Sequence, residues 1–454
     1  MKKSHAFITA GLSAIAGAVS FGGGVAHADP TTVWSGATET REEDRRFHVN
    51  GRFQYDVAST DADCANVTCT GVNESGIRSY ARRAFLGVDG RLTTNWRYNV
   101  KFDFNLANNG GASVRADDLY LEYAGQDWSF IVGNNNAVSP MEDRDSSLNI
   151  PFNERSFLIS ASGVGKRPGI AWITNGGNWS LGANLSSNDT LDTTDTASNG
   201  TESYFFGGRA TWAPIFEQTP DGTTVLHLGL YARYRNNGDG NANTLNGLFT
   251  YSPNALSNKS NNNASVGGAD SDTFFDGEMA FQWNSFGIDG EYGQIKAHDS
   301  ALTAAELGDG TAKGYYFDVF WSPTGESRRY NAADGSFGAI APRRTLGSDG
   351  GIGHIMLSAR YESFDTSDGG FAVRPASASA ADIAAANAAD RRAETTAYTL
   401  GATWVPVQHV KFQLNYSQTD ISYTNRGDIS TTAGLQQLQD NSIKAVVLRT
   451  QFDW

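Results

Sequence analysis

The stretch from Asn95 to Leu106, NWRYNVKFDFNL, alternates without a break. Trp96, Tyr98, Val100, Phe102, Phe104 and Leu106 fall on one side, and Asn95, Arg97, Asn99, Lys101, Asp103 and Asn105 on the other. Successive side chains of a strand point to opposite faces, so one face is apolar and aromatic while the other is polar and charged. A soluble sandwich could use one such strand. Here the pattern recurs down the chain, in Leu226/Leu228/Leu230 against His227/Tyr231/Arg233, in Tyr315/Phe317/Val319/Trp321, and in Val410/Phe412/Leu414/Tyr416. Counting such runs gives about sixteen strands, the size at which a closed barrel leaves an aqueous channel.

The first residues add a second constraint. Lys2 and Lys3, a short apolar stretch from Ala6 to Val19, and Ala26-His27-Ala28 read as a secretory signal over residues 1–28, with the mature chain starting at Asp29. No later segment approaches the ~20 apolar residues of a membrane helix. If the chain spans a membrane, it does so as a barrel, since only helices and closed barrels satisfy every backbone polar group in lipid. Only 39% of the residues are hydrophobic, against 50 glycines and 11% aromatics. That share suits strands with one wet face. The expected fold is therefore all-β: a transmembrane antiparallel barrel of about sixteen strands over residues 47–454, with long extracellular loops and short periplasmic turns. Residues 29–46 read as a periplasmic N-terminal segment.

Charge excludes one class of partner. The formal net charge is −14, or −16 once the signal and its two lysines are removed, which argues against nucleic acid. Cys64 and Cys69 are the only cysteines. An exported chain meets an oxidising compartment, so they are expected to form a small disulfide loop; with no histidine nearby they cannot complete a tetrahedral metal shell. No catalytic motif and no cofactor signature is visible.

Segment 137–167 interrupts the strand rhythm between the fifth and sixth runs and is rich in both signs of charge. It is expected to fold into the lumen as a constriction loop, where opposed charges sort solutes. Arg144, Arg155, Lys166 and Arg167 on it are the candidates for the narrow zone, with Arg97 and Lys101 on the facing wall and Arg52 and Arg83 among the other inward basic positions. Guanidinium groups suit oxyanions. Inward acids, such as Asp56, Asp118, Glu122, Glu278 and Glu291, are as common, so a mixed hydrated wall is an equal reading.

The stretches RRAFLGVDGRLTTNWRYNVKFDF (82–104), DDLYLEYAG (117–125), FNERS (152–156), TGESRRY followed by GSFGAI (324–340), TLGATWVPVQHVKFQLNYSQTD (399–420) and the terminal LRTQFDW (448–454) occur in order along the chain. Together they resemble the phosphate-selective porin O/P family of Gram-negative outer membranes. The resemblance implies a sixteen-stranded, trimeric porin in contact with outer-membrane lipid and lipopolysaccharide, passing phosphate or another small anion along basic residues. A general or weakly cation-preferring porin remains the alternative. An outer-membrane barrel enzyme and a secreted β-sandwich binding protein are the rivals from other classes.

Overall fold

The alternating runs pair as antiparallel strands in chain order, and the last returns to the first. The structure, a computed structural model, describes residues 45–64, 76–104, 114–187, 203–236, 269–299, 309–347, 350–371, 392–424 and 441–454, with short stretches at 31–32, 38–42, 249–251 and 262–264 and the single residue 379. The barrel begins with β1 (Arg45–Cys64), β2 (Gly76–Arg91), β3 (Trp96–Asp103), β4 (Arg115–Ala124) and β5 (Trp128–Asn135). It continues with β6 (Arg167–Asn175), β7 (Trp179–Ser187), β8 (Tyr204–Thr219), β9 (Gly222–Asn236), β10 (Ala269–Trp283) and β11 (Phe286–Asp299). The circuit ends with β12 (Gly310–Trp321), β13 (His354–Asp365), β14 (Ala393–Val407), β15 (Val410–Tyr423) and β16 (Asn441–Asp453).

Closure is made by β16 against β1, in a register that sets Leu448 opposite Val57 and Gln451 opposite Gln54. The C-terminal Trp454 completes the seam. Its backbone exchanges two hydrogen bonds of 3.2 Å with Gly51, and its ring lies where a side chain would stand: a Cβ at Gly51 would come 2.0 Å from it. Residues 38–42 pair with the start of β1, so part of the N-terminal segment extends the sheet rather than trailing free.

The alternation sorts side chains as expected. Phe102, Leu228, Leu230 and Leu400 lie exposed on the outer wall, Leu230 at 69%. Phe281 and Phe412 share that parity and are partly covered by neighbours. Trp96, Trp128, Trp179, Trp283 and Trp321 stand at the strand ends beside the short turns, forming an interfacial girdle. Gln54, His227, Gln413, Ser417 and Arg449 point inward. The disulfide expected between Cys64 and Cys69 lies outside the described residues, since Cys69 falls in the stretch between Cys64 and Gly76.

Three features depart from strict alternation. First, β-bulges double two inward positions. Gln54 faces Arg83 while Tyr55 faces Ala81, so Arg82 is the extra residue. Val100 faces Leu119 while Phe102 faces Ala116, so Asp117 and Asp118 share the space opposite Lys101. A bulge aims two neighbours to one side and twists the strand. Second, the inner wall is not uniformly polar. Phe274, Ile295, Phe364 and Ala397 are buried inside the barrel against Phe157, Leu158 and Ile159 of an inserted helix.

Third, two segments enter the lumen, not one. The expected insertion between β5 and β6 carries helices α1 (Met141–Arg144) and α2 (Phe157–Ala161). The other joins β12 to β13 on the side of the short turns, where a tight connection was expected. It is described over residues 322–347 and 350–353. Its lumenal part includes a small hairpin pairing Tyr330–Asn331 with Ser336–Phe337, while Leu346 and Ile352 lie exposed beside Trp404 and Leu414 of the outer wall. Arg328, Tyr330 and Phe337 in it are buried.

Candidate channel constriction

The two inserted segments meet each other inside the barrel. Arg144 Nη2 lies 2.8 Å from Asp334 Oδ2. Asp145 Oδ1 accepts the Phe337 backbone N–H at 2.7 Å. What remains open is a cavity of about 860 Å³ between them and strands β1 to β6. Seven of the eight basic candidates line it: Arg52, Arg83, Arg97, Lys101, Arg144, Arg155 and Lys166.

Arg167 does not. It opens β6, donates to the Gly163 carbonyl at 2.8 Å, and its guanidinium sits 5.1 Å from the centre of the Phe205 ring. It therefore stands outside the cavity, which corrects its place in the narrow zone. Parity at the edge of a loop could not separate it from Lys166, because the strand begins between them.

Most cations in the cavity are matched by carboxylates. Lys166 Nζ bridges Asp117 at 2.7 Å and Asp118 at 2.8 Å, and Lys101 Nζ reaches Asp118 at 2.9 Å. Arg97 lies 3.8 Å from Glu122. Arg155 is 3.6 Å from Asp143 and also donates to the carbonyls of Glu142, Asp143 and Asp145, which fixes the turn after α1.

Arg52 and Arg83 differ. Arg52 donates to Ser147 Oγ at 2.6 Å and Ser146 Oγ at 3.2 Å. Arg83 donates to Gln54 Oε1 at 2.8 Å. Among the described residues neither guanidinium has a carboxylate within ion-pair reach. Beside them Lys411 donates to the Leu148 carbonyl at 2.8 Å. One wall of the cavity therefore carries two guanidiniums outside ion-pair contact with any described carboxylate, beside the Ser146 and Ser147 hydroxyls.

The residue that docks the constriction loop was missed by sequence reasoning. Glu154 receives Arg82 Nε at 2.8 Å and Arg82 Nη2 at 2.9 Å, and Arg449 Nη2 at 2.8 Å. Arg449 in turn grips Asp56 with two bonds of 2.8 Å. Burial alone would raise the Glu154 carboxyl, but the Arg82 and Arg449 guanidiniums outweigh it and hold it well below the usual carboxylate range. The signal was the pair Arg82-Arg83 in one strand: two adjacent charges cannot alternate between lumen and lipid, so a bulge was required. Asp145 shows the opposite balance. Burial pushes it up to about 7, against the pull of Arg328 and the Phe337 N–H.

A family model for the phosphate-selective porins O and P matches residues 47–454, the whole barrel. The chain belongs to that family. Porin O of Pseudomonas aeruginosa is 25% identical over 471 aligned positions, covering 96% of this chain and 99% of that protein. An uncharacterised protein of Caulobacter vibrioides is 27% identical over 411 positions, covering 86% of this chain and 72% of its own. The fold is shared with OmpT, an outer membrane protein of Vibrio cholerae, at a TM-score of 0.51 and 10% identity over 91% of this chain and 99% of that one. This porin is thus an outer-membrane channel protein of the Gram-negative type, in a family and fold of channels rather than enzymes.

Proposed function

We propose that this porin is a passive channel for small hydrophilic solutes that favours anions, phosphate and similar oxyanions among them. The observation that carries the reading is the wall of Arg52 and Arg83, which lack carboxylate partners while the other lumenal cations of the cavity have them. An entering oxyanion meets two guanidiniums whose planar forks match its geometry, and the Ser146 and Ser147 hydroxyls as neutral donors. The paired charges elsewhere keep the cavity wet without favouring either sign. Local donors decide permeation more directly than the distant net charge of −14. The description of the family supports phosphate as a solute. Export by the signal at 1–28, assembly as a homotrimer and contact with lipopolysaccharide belong to the same reading, as do a periplasmic place for residues 29–46 and the Cys64–Cys69 disulfide.

Chloride current through single channels, recorded while phosphate is added, tests the solute class. Phosphate is expected to reduce the current by occupying the Arg52 wall, and Arg52→Gln with Arg83→Gln is expected to relieve that block. Chloride current indifferent to phosphate in the wild type would remove phosphate from the proposal and favour a general porin.

A further inference from the structure

Behind the constriction loop, on the wall opposite Arg52, three buried carboxylates converge. Asp276 and Glu278 lie on β10 and Glu291 on β11, each 4% exposed or less. Glu278 and Glu291 are direct cross-strand partners, an arrangement that is destabilising for like charges. One oxygen from each of the three lies within 4.8 Å of the others.

Their partners do not balance them. Glu278 is held by Arg209 at 2.7 Å and by His227 Nε2 at 3.1 Å. Glu291 receives the backbone N–H of Glu142 at 3.3 and 3.4 Å to its two oxygens. The carboxylate of Glu142 itself is taken by Arg360 and by Ser156. Among the described residues, Asp276 has no hydrogen-bond partner on either oxygen. A fully buried carboxylate without donors is costly, and native structures rarely leave one without a reason.

Two glycines make room for these side chains. Gly293 stands opposite Asp276 in register, and a Cβ there would lie 2.6 Å from the Phe274 ring and 3.1 Å from Asp276 Oδ1. Gly229 stands opposite Glu278, where a Cβ would come 2.3 Å from Glu278 Oε2.

From the clustering and the buried, orphaned Asp276 carboxylate aimed into it, we propose that Asp276, Glu278 and Glu291 bind one hard divalent cation, Ca²⁺ foremost. Oxygens bound to one Ca²⁺ ion at about 2.3–2.6 Å lie at most about 5.2 Å apart, so three carboxylate oxygens all within 4.8 Å of one another fit a single ion. An all-carboxylate donor set selects Ca²⁺ or Mg²⁺ over softer metals. The position gives the ion a structural task. Glu291 holds the first turn of α1 in the constriction loop, and Arg209 links Glu278 to the carbonyls of Asp334 and Gly335 in the other inserted segment. A cation there ties the wall to both segments that set the bore.

The test uses the whole barrel, refolded in detergent without lipopolysaccharide and stripped with EDTA. Equilibrium dialysis against Ca²⁺ is expected to load about one ion per protomer, and the thermal unfolding midpoint is expected to rise with Ca²⁺ and fall again in EDTA. Both effects should vanish in Asp276→Asn/Glu291→Gln and persist in Asp221→Asn, which changes an exposed acid in a distant turn. The wild-type titration decides even if the double variant folds poorly. A wild type that binds no Ca²⁺ and melts alike in Ca²⁺ and EDTA overturns the proposal; a simultaneous gain in stability by the double variant would then assign the cluster to carboxyls neutralised by protons.

Discussion

Glu154→Gln isolates the staple that docks the constriction loop. The amide keeps the shape and one acceptor oxygen but removes the charge. Arg82 then stands on its bulge without the carboxylate that gave it bonds of 2.8 and 2.9 Å, while Arg449 keeps Asp56. Removing one partner of a buried pair costs about 3–5 kcal/mol. The low end applies, because the Arg82 and Glu154 side chains each keep 19% of their exposure and Arg449 retains a partner. A loss of about 3 kcal/mol lowers the docked-to-undocked ratio of the loop by roughly two orders of magnitude. The barrel wall rests on strand pairing and is expected to assemble normally. The assay is single-channel recording: Glu154→Gln should show added open-channel noise and brief closures, and Arg82→Gln combined with it should add little further. Because the Glu154 carboxyl is held below its ordinary value, its contribution is complete above about pH 4.3 and is lost only as pH falls towards the depressed value. Quiet, wild-type conductance from Glu154→Gln at neutral pH would refute the assignment of the staple.

Leu230→Arg, on the lipid face, is expected to cost about 2–4 kcal/mol if it lies near the bilayer midplane, whereas Ser129→Arg in the cavity should cost little; urea unfolding in vesicles measures both, and equal costs would mean the facing is wrong. Asp145 is raised to about 7, so between about pH 3.9 and 7 the docked state holds a proton that the undocked segment has released. Its contribution to docking therefore declines as pH rises through that window and is flat above it. Asp145→Asn should remove this dependence from recordings of channel noise against pH. Cys64 and Cys69 are expected to resist thiol labelling until reduced, and their loss should leave assembly unchanged, since the loop they close is small.

The barrel was legible because a period of two, repeated about sixteen times, leaves few alternatives. Phe102 and Leu228 stand where that period put them. The constriction loop was legible as a break in rhythm at 137–167. The second inserted segment was not: TGESRRY and GSFGAI were legible only as stretches that resemble the family, and nothing local shows that Arg328 will find Asp289 of β11 at 2.5 Å. The apolar interior at Phe274, Ile295 and Phe364 was hidden for the same reason: strand parity says which face a side chain takes, not which inserted helix covers it. The bulges were half legible. Arg82-Arg83 and Asp117-Asp118 each break alternation with paired charges, and a lipid face cannot hold one of them. Of the basic residues that line the cavity, Arg52, Arg83, Arg97 and Lys101 follow from strand parity, and Arg144, Arg155 and Lys166 from the break in rhythm that marks the loop. Which of them lack a carboxylate depends on pairings between distant strands and loops.

The central claim is that the Arg52 and Arg83 wall makes the channel favour anions. Reversal potentials across a planar bilayer in a salt gradient measure this directly, in the wild type and in Arg52→Gln/Arg83→Gln. A unit charge about 4 Å from a permeating ion contributes about 1 kcal/mol in water-like surroundings, or roughly fivefold in relative permeability for each charge removed. The wild type is predicted to reverse on the anion-selective side, and the double variant to move markedly towards cations. A wild type that reverses on the cation side, with no shift in the double variant, would contradict the account.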